Sequence, residues 1–374
     1  MSAGSDLVDS FHIESHEALL QRPSAAETPR RPLDAIVVPT IRPRSLQAAT
    51  VLASDIGCAL VVLCSTPGQA GQVLERQPTL DDMLVTYVPR DIDDNLLSFL
   101  TAVHPEIDVE RSCHGDIARK RNVGLLLARL CGWRTIMYLD DDIRDLTASA
   151  VSRAADLTTC FRAVGFKINY YPDNSVVCHA YRLSGGEQGI LPGGSALVVD
   201  VARCDMLFPP VYNEDWLFLF DAVQTRSVAV AGTVSQLEYQ PFAHSRRAAS
   251  EEFGDVIAEG LFRLIHEGAD VTDATYAYWR SVLERRLQLI DYVAARLLRT
   301  DENAPVIGSA LMSLAAARKR LAPISPLACV SFIRAWQADL DAWRHTLLDL
   351  PVVGDLADAA KFLDLPTPDS CVNQ

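Results

Sequence analysis

The chain has 374 residues, with 48 Asp and Glu against 34 Lys and Arg and a formal net charge of -14. At 49% hydrophobic and 22% charged residues it reads as globular, with length for two or three structural units around a sizeable core. The acidic balance argues against nucleic acid or an anionic membrane as partner, because tracking such a surface takes clustered Lys and Arg. A phosphorylated substrate would need a metal ion or a local basic pocket.

The longest unbroken apolar run, Cys58–Cys64, is seven residues, against the ~20 that cross a bilayer. The N-terminus carries Asp6 and Asp9 where a secretory signal carries Lys or Arg. The nine cysteines are scattered without a Cys-x-x-Cys pair, and Cys58, Cys64 and Cys131 sit in apolar runs as small buried hydrophobes do. This pattern predicts a reduced, cytoplasmic protein with neither a disulfide framework nor a zinc site.

Residues 1–33 are polar, carry prolines and lack a strand pattern, and are read as an N-terminal extension. Asp34–Pro39, Ala59–Leu63 and Met83–Val88 read as strands, with a helix over Leu46–Ile56. Asp116–Cys131 has Ile117, Val123, Leu126, Leu127 and Leu130 at helical spacing, with Gly132 as its stop. Thr135–Leu139 is a strand leading into three aspartates. Apolar strands alternating with helices predict an α/β domain over 34–245, its largely parallel sheet covered on both faces. Over 246–365 the pattern turns helical, with stripes through Val282–Leu297 and Phe332–Leu347 and an Ala-rich helix over Gly308–Leu321. Residues 366–374 read as a loose tail.

The strongest local signal is Tyr138-Leu-Asp140-Asp141-Asp142-Ile143. Acids at the carboxyl end of a buried strand stand where ligands bind in open α/β sheets. Extended geometry would put Asp140 and Asp142 on one face and Asp141 on the other. Two converging carboxylates repel unless a cation lies between them, and hard oxygens suit Mn2+ or Mg2+. A solvated acidic turn is the plain alternative. Asp141-Asp-Ile-Arg-Asp145 also matches the acidic diphosphate-binding motif of terpenoid synthases, but that motif belongs on a helix and here follows a strand.

Upstream, Arg119-Lys120-Arg121-Asn122 reverses the sign of the chain at the expected start of a helix, where cations oppose the helix dipole and an anion would offset the conflict. Pro39-Thr40-Ile41-Arg42-Pro43 brings a hydroxyl and a guanidinium to the same sheet edge. Gly193-Gly194 permits close backbone approach. Asn213-Glu214-Asp215-Trp216 sets two acids beside an aromatic wall, and His244 closes the α/β portion.

In chain order these five segments resemble a nucleotide-sugar-dependent glycosyltransferase of the GT-A fold, family 2 in motif style, over about residues 34–245. The resemblance implies a Rossmann-like, mostly parallel sheet and transfer of a sugar from a UDP- or GDP-sugar to a nucleophile of a soluble acceptor. It implies that Pro39, Thr40 and Arg42 line the nucleoside pocket, with Ser65 nearby and Arg121 and Asn122 flanking the diphosphate. Asp140 and Asp141 would contact the donor, Gly193 and Gly194 would approach its sugar, and Asp142, Asp140 and His244 would hold Mn2+ or Mg2+. Asp215, beside Glu214, would be the base of an inverting displacement, with Trp216 against the acceptor. Cys64-Ser65 departs from the family's usual acid after the second strand. The helical C-terminus is expected to complete the acceptor pocket or to offer a homodimer surface. A sugar-nucleotide nucleotidyltransferase and a non-catalytic nucleotide-sugar-binding protein are the alternatives.

Overall fold

The computed structural model describes residues 11–23, 28–43, 46–76, 80, 82–90, 94–107, 113–169, 171, 174–299 and 304–366. Residues 1–10 and 24–27 of the expected extension, and 367–374 of the expected tail, lie outside the described residues. The early strands form as their β-branched runs predict: β1 (Ala35–Pro39), β2 (Ala59–Cys64), β3 (Met83–Tyr87) and β4 (Thr135–Leu139). They pair in parallel in the order β3-β2-β1-β4, with Val37 opposite Val61 and Tyr138. Alternate residues feed two cores, Ile36 and Val38 on one face and Val37 on the other. Burial on both faces is why these strands read as unbroken apolar runs rather than alternating ones.

Beyond β4 the sheet takes in two reversed strands. β5 (Ile143–Arg144), β6 (Ala163–Asn169), β7 (Ala196–Asp200) and β8 (Val228–Gln236) complete the order β4-β7-β6-β8-β5. β7 is antiparallel to both β4 and β6, β8 antiparallel to β5, and β6 and β8 are parallel. Six of the eight strands thus run the same way and the sheet is largely parallel as expected; the reversal of β7 in its middle was not expected, because an apolar run such as Ala196–Val199 carries no information about its direction. This reversal positions the site: Leu139 faces Ala196, so the Gly193-Gly194 segment enters β7 at the edge where β4 delivers its aspartates.

The faces are covered by α1 (Gln47–Ile56), α2 (Pro67–Arg76), α3 (Cys113–Leu130), α4 (Ala148–Leu157), α5 (Val176–Leu183) and α6 (Glu214–Gln224). Then follow α7 (Ser245–Glu267), α8 (Tyr276–Leu297), α9 (Ala304–Leu321), α10 (Pro326–Asp349) and α11 (Leu356–Phe362). The second predicted stripe buries Trp336 and Trp343, Trp279 is buried just ahead of the first, and Trp343 Nε1 donates to the Met206 carbonyl at 3.0 Å. These helices share one hydrophobic cluster with a sheet face, so the change of pattern near residue 246 is not a break in the core. The described part of the N-terminal segment joins the body as well. Gln21 bridges to Ala229, and Phe11, Leu19 and Leu20 enter the core. No helix of the described residues is long and apolar enough to cross a membrane.

Candidate active site

At the carboxyl edge of the sheet, β4 ends at Leu139, and the Asp140 amide donates to the Ser195 carbonyl at 2.8 Å. The next residues turn, so strand alternation stops before it can pair Asp140 with Asp142. Instead Asp141 and Asp142 converge on Arg42, whose Nη2 lies 2.5 Å from Asp141 Oδ1 and 2.9 Å from Asp142 Oδ2. Thr40 Oγ1 donates to Asp141 Oδ2 at 2.5 Å, and Gln236 Nε2 donates to Asp142 Oδ2 at 3.3 Å.

Asp140 turns to Arg121, whose Nη2 donates to its two oxygens at 2.9 and 3.2 Å, while Arg121 Nη1 donates to Glu214. Glu214 and Asp215 open α6 after Asn213, a left-handed residue (φ 59°) whose Nδ2 donates to Asp255 Oδ1 on α7 at 3.0 Å. That anchor points the start of α6 at the sheet edge. Asp215 accepts the Gly194 amide at 2.8 Å on Oδ2 and the Trp216 amide at 2.9 Å on Oδ1. The glycine pair is dictated by this crowding. A Cβ at 193 would sit 2.1 Å from Asp215 Oδ2, and one at 194 would sit 2.5 Å from Arg121 Cζ.

Burial pushes the Asp140 carboxyl up to about 7 and that of Glu214 up to about 8; Arg121 opposes both shifts and neighbouring carboxylates add to them. Burial also works against the Arg121 charge, but Asp140, Glu214 and Asp215 overcome it and raise that group above its ordinary value. One guanidinium among three carboxyls cannot keep all of them ionised in a dry site. The cluster therefore retains a proton near neutrality while Arg121 stays charged.

The basic run of α3 divides. Lys120 is buried, its Nζ 2.7 Å from Asp116 Oδ2 and donating to Ser65 Oγ at 2.7 Å and the Thr40 carbonyl at 3.0 Å. Ser65 Oγ donates in turn to Asp116 at 2.8 Å. Arg119 faces away, lining a crevice with Phe99 and Phe208. Asn122, expected beside a diphosphate, clamps the Phe208 backbone through both ends of its amide, each at 2.9 Å. It lies about 100° around the helix from Arg121, which turns it into the core. The described helix begins at Cys113, so these cations stand two turns in, where the dipole conflict expected at a helix start does not arise; their charge is met by side chains.

One cavity of about 280 Å³ joins these groups, lined by Pro39, Thr40, Arg42, Lys120, Arg121, Asp140, Asp141, Gly193, Glu214, Asp215 and Trp216. Asp142, Ser65 and Gly194 stand one contact behind that lining. The structure does not bring His244 there: it is exposed at the N-cap of α7, and its place after the last long strand gave no guide to its direction. The cavity also takes in Asn174, Ser175 and Glu259, which sequence reasoning missed. Glu259 lies in an amphipathic helix, where one more acid gives no signal.

Among the described residues no three His, Cys, Asp or Glu side chains are grouped to hold a metal ion by themselves. Asp142 Oδ1 is buried without a hydrogen-bond donor, and Asp141 Oδ1 is met by Arg42 Nη2 at 2.5 Å. Such oxygens fit a hard divalent cation that takes one or two carboxylates and completes its shell with phosphate and water, once Arg42 is drawn off them.

No protein-family model matches the chain, and no curated protein matches it. Among solved structures it is similar to the mannosyltransferase PcManGT from Pyrobaculum calidifontis, in complex with GDP-Man and Mn2+. The identity is 17% and the TM-score 0.44, over 92% of this chain and 95% of that one.

Proposed function

We propose that the protein is a nucleotide-sugar-dependent glycosyltransferase of GT-A organisation. The observation that carries this reading is the joining of three functions in one cavity. Strand-end carboxylates stand at the sheet edge, Arg42, Lys120 and Arg121 stand beside them, and Asp215 opens a helix opposite. A nucleotide sugar needs each of these: cations for the diphosphate, polar groups at the sheet edge for the nucleoside, and a base beyond the anomeric carbon.

In this reading Lys120 and Arg121 neutralise charge on the departing diphosphate, preorganised by Asp116, Ser65 and Glu214 so that no reorganisation is needed during the reaction. Asp215 accepts the proton of the acceptor hydroxyl while its oxygen bonds to the anomeric carbon. The bond from that carbon to the diphosphate oxygen breaks, the electron pair leaves with the nucleoside diphosphate, and the anomeric centre inverts. The two amides on Asp215 fix its orientation and leave lone pairs for the proton. Asp142 and Asp141 would hold Mn2+ or Mg2+, which when bound supplies Lewis-acid neutralisation of the diphosphate, while Asp140, expected with them, is held by Arg121. Trp216, packed on Phe262 and His16 with ring centroids at 4.8 and 5.1 Å, forms a rigid wall beside Asp215.

Calorimetric titration with UDP- and GDP-sugars, with and without Mn2+, tests this, followed by assay of donor hydrolysis. Binding with slow release of nucleoside diphosphate is expected. Binding without any turnover would favour a non-catalytic binding protein. Pyrophosphate release from a nucleoside triphosphate and a sugar 1-phosphate would favour a nucleotidyltransferase.

A further inference from the structure

The cation that Asp141 and Asp142 share is the protein's own. A single atom, Arg42 Nη2, lies 2.5 Å from Asp141 Oδ1 and 2.9 Å from Asp142 Oδ2, the place that an ion bridging the two carboxylates would take. Burial works against the Arg42 charge, but Asp142 and Asp141 outweigh it and hold the group above its ordinary value. The carboxylates are fixed in position. Both aspartates are buried, Thr40 Oγ1 donates to Asp141 Oδ2 at 2.5 Å, and Gln236 Nε2 donates to Asp142 Oδ2 at 3.3 Å.

The guanidinium is held differently. The Arg42 side chain is 50% exposed, while its backbone is tied down. Its amide donates to Thr40 Oγ1 at 2.9 Å, and Lys120 Nζ donates to the Thr40 carbonyl at 3.0 Å. The head group can therefore leave the aspartates without movement of the loop that carries it, and an ion pair with one partner half in water is cheaper to break than a dry one. Asp142 Oδ1 is buried without a donor, so Arg42 leaves unused a bonding capacity that a hard cation takes up. Two carboxylates cannot balance a divalent ion and a guanidinium together, and the two cations repel each other at that spacing. A diphosphate supplies the missing negative charge. Arg42 lines the same cavity as Lys120 and Arg121, and phosphate oxygens match the fork of a guanidinium.

We infer that Arg42 is a built-in counter-ion that competes with the divalent cation for Asp141 and Asp142, and that metal and diphosphate therefore bind cooperatively, the diphosphate drawing Arg42 off the carboxylates. The coupling is reciprocal: the factor by which the diphosphate raises metal affinity is the factor by which the metal raises diphosphate affinity. The diphosphate partner rests on the glycosyltransferase reading, whereas the competition stands on Arg42, Asp141 and Asp142 alone.

Mn2+ binding to the full chain, read by electron paramagnetic resonance with and without UDP or GDP, tests this in the wild type and in Arg42→Gln, with the Mn2+ held by free nucleotide measured separately. In the wild type the nucleotide is expected to raise Mn2+ affinity about tenfold or more, within the usual range of coupling between linked sites. Arg42→Gln is expected to bind Mn2+ alone about fivefold more tightly than the wild type and to lose most of the gain from nucleotide. Melting curves establish that the variant is folded, and Mn2+ should raise its melting temperature more than that of the wild type. Weaker or unchanged Mn2+ binding by Arg42→Gln overturns the inference, as does a wild-type Mn2+ affinity that a bound nucleotide leaves unchanged. Tighter Mn2+ binding by the variant, with no nucleotide bound by either protein, would confirm the competition and overturn the transferase reading.

Discussion

Two buried arginines in this protein each lie between two carboxylates, and they are put to different uses. Arg286 on α8 is held by Glu252 and Asp255 of α7 at 2.8 and 2.7 Å, with side-chain exposures of 5%, 0% and 3%. Arg121 on α3 is held by Asp140 and Glu214, with exposures of 3%, 21% and 8%. Arg286 borders a pocket of only about 30 Å³, whereas Arg121 opens on one of about 280 Å³. Glu252 takes Arg286 in a bidentate pair, two bonds of 2.8 Å, and Asp255 passes the constraint to Asn213. Arg121 faces a third carboxyl, Asp215, and so lacks enough charge for its neighbours. A buried ion pair is rarely a net source of stability. Here one sets the turn that presents Glu214 and Asp215, and the other holds a site short of cations until a ligand or metal arrives.

The comparison breaks most sharply at Asp215. Asp215→Asn should lower turnover by about 10²–10⁴, the usual worth of a general base, with an unchanged circular dichroism spectrum and nucleotide affinity. Turnover within tenfold of the wild type would remove Asp215 from the chemistry. Next in size is Arg286→Leu, which strands Glu252 and Asp255 and should cost about 3–5 kcal/mol of stability in urea unfolding. A loss of less than about 1 kcal/mol would show that the α7–α8 triad constrains nothing.

A smaller effect separates the two networks by pH. Glu214 and Asp140 titrate near 8 and 7 in the folded chain against about 4.3 and 3.9 unfolded. Between those values the folded state binds more protons. Their contribution is therefore fully present below about pH 4 and is lost as pH rises through 7 to 8. The melting temperature should fall from pH 5 to pH 8, and Glu214→Gln should flatten that fall; an unaltered slope would contradict the assignment. Smallest of all, His244→Ala should change Mn2+ affinity, read by electron paramagnetic resonance, by less than twofold. A tenfold loss would bring His244 back into the metal shell.

How much of this was legible in the sequence depends on the kind of signal each residue carries. Strands β1 to β4 were visible because burial on both faces demands uninterrupted Val, Ile and Leu. The long C-terminal helices were visible because their Trp and Leu positions recur with the helical period. The direction of β7 was not, since hydrogen-bond polarity leaves no trace in Ala-Leu-Val-Val. In the site, residue type located the edge at Thr40, Arg42 and Asp140–Asp142, but rotation decided the rest. Asn122 differs from Arg121 by one helix step and is spent on Phe208, and the turn after Leu139 re-sorts three aspartates that strand geometry would have alternated. Gly193-Gly194 was read as room for a ligand, and the room is filled by Asp215 and Arg121 themselves. Asn174 and Glu259, which line the cavity from two distant segments, were invisible because each is unremarkable alone.

The central claim is that the Arg121 cluster and Asp215 form one donor-and-base site. The most direct measurement is release of nucleoside diphosphate from UDP- and GDP-sugars with Mn2+, by wild type and Asp215→Asn, alongside calorimetric binding of the same donors. The account predicts that both proteins bind a donor with similar affinity and that only the wild type releases its nucleotide at an appreciable rate. Failure of the wild type to bind any UDP- or GDP-sugar, or equal release by the two proteins, would contradict it.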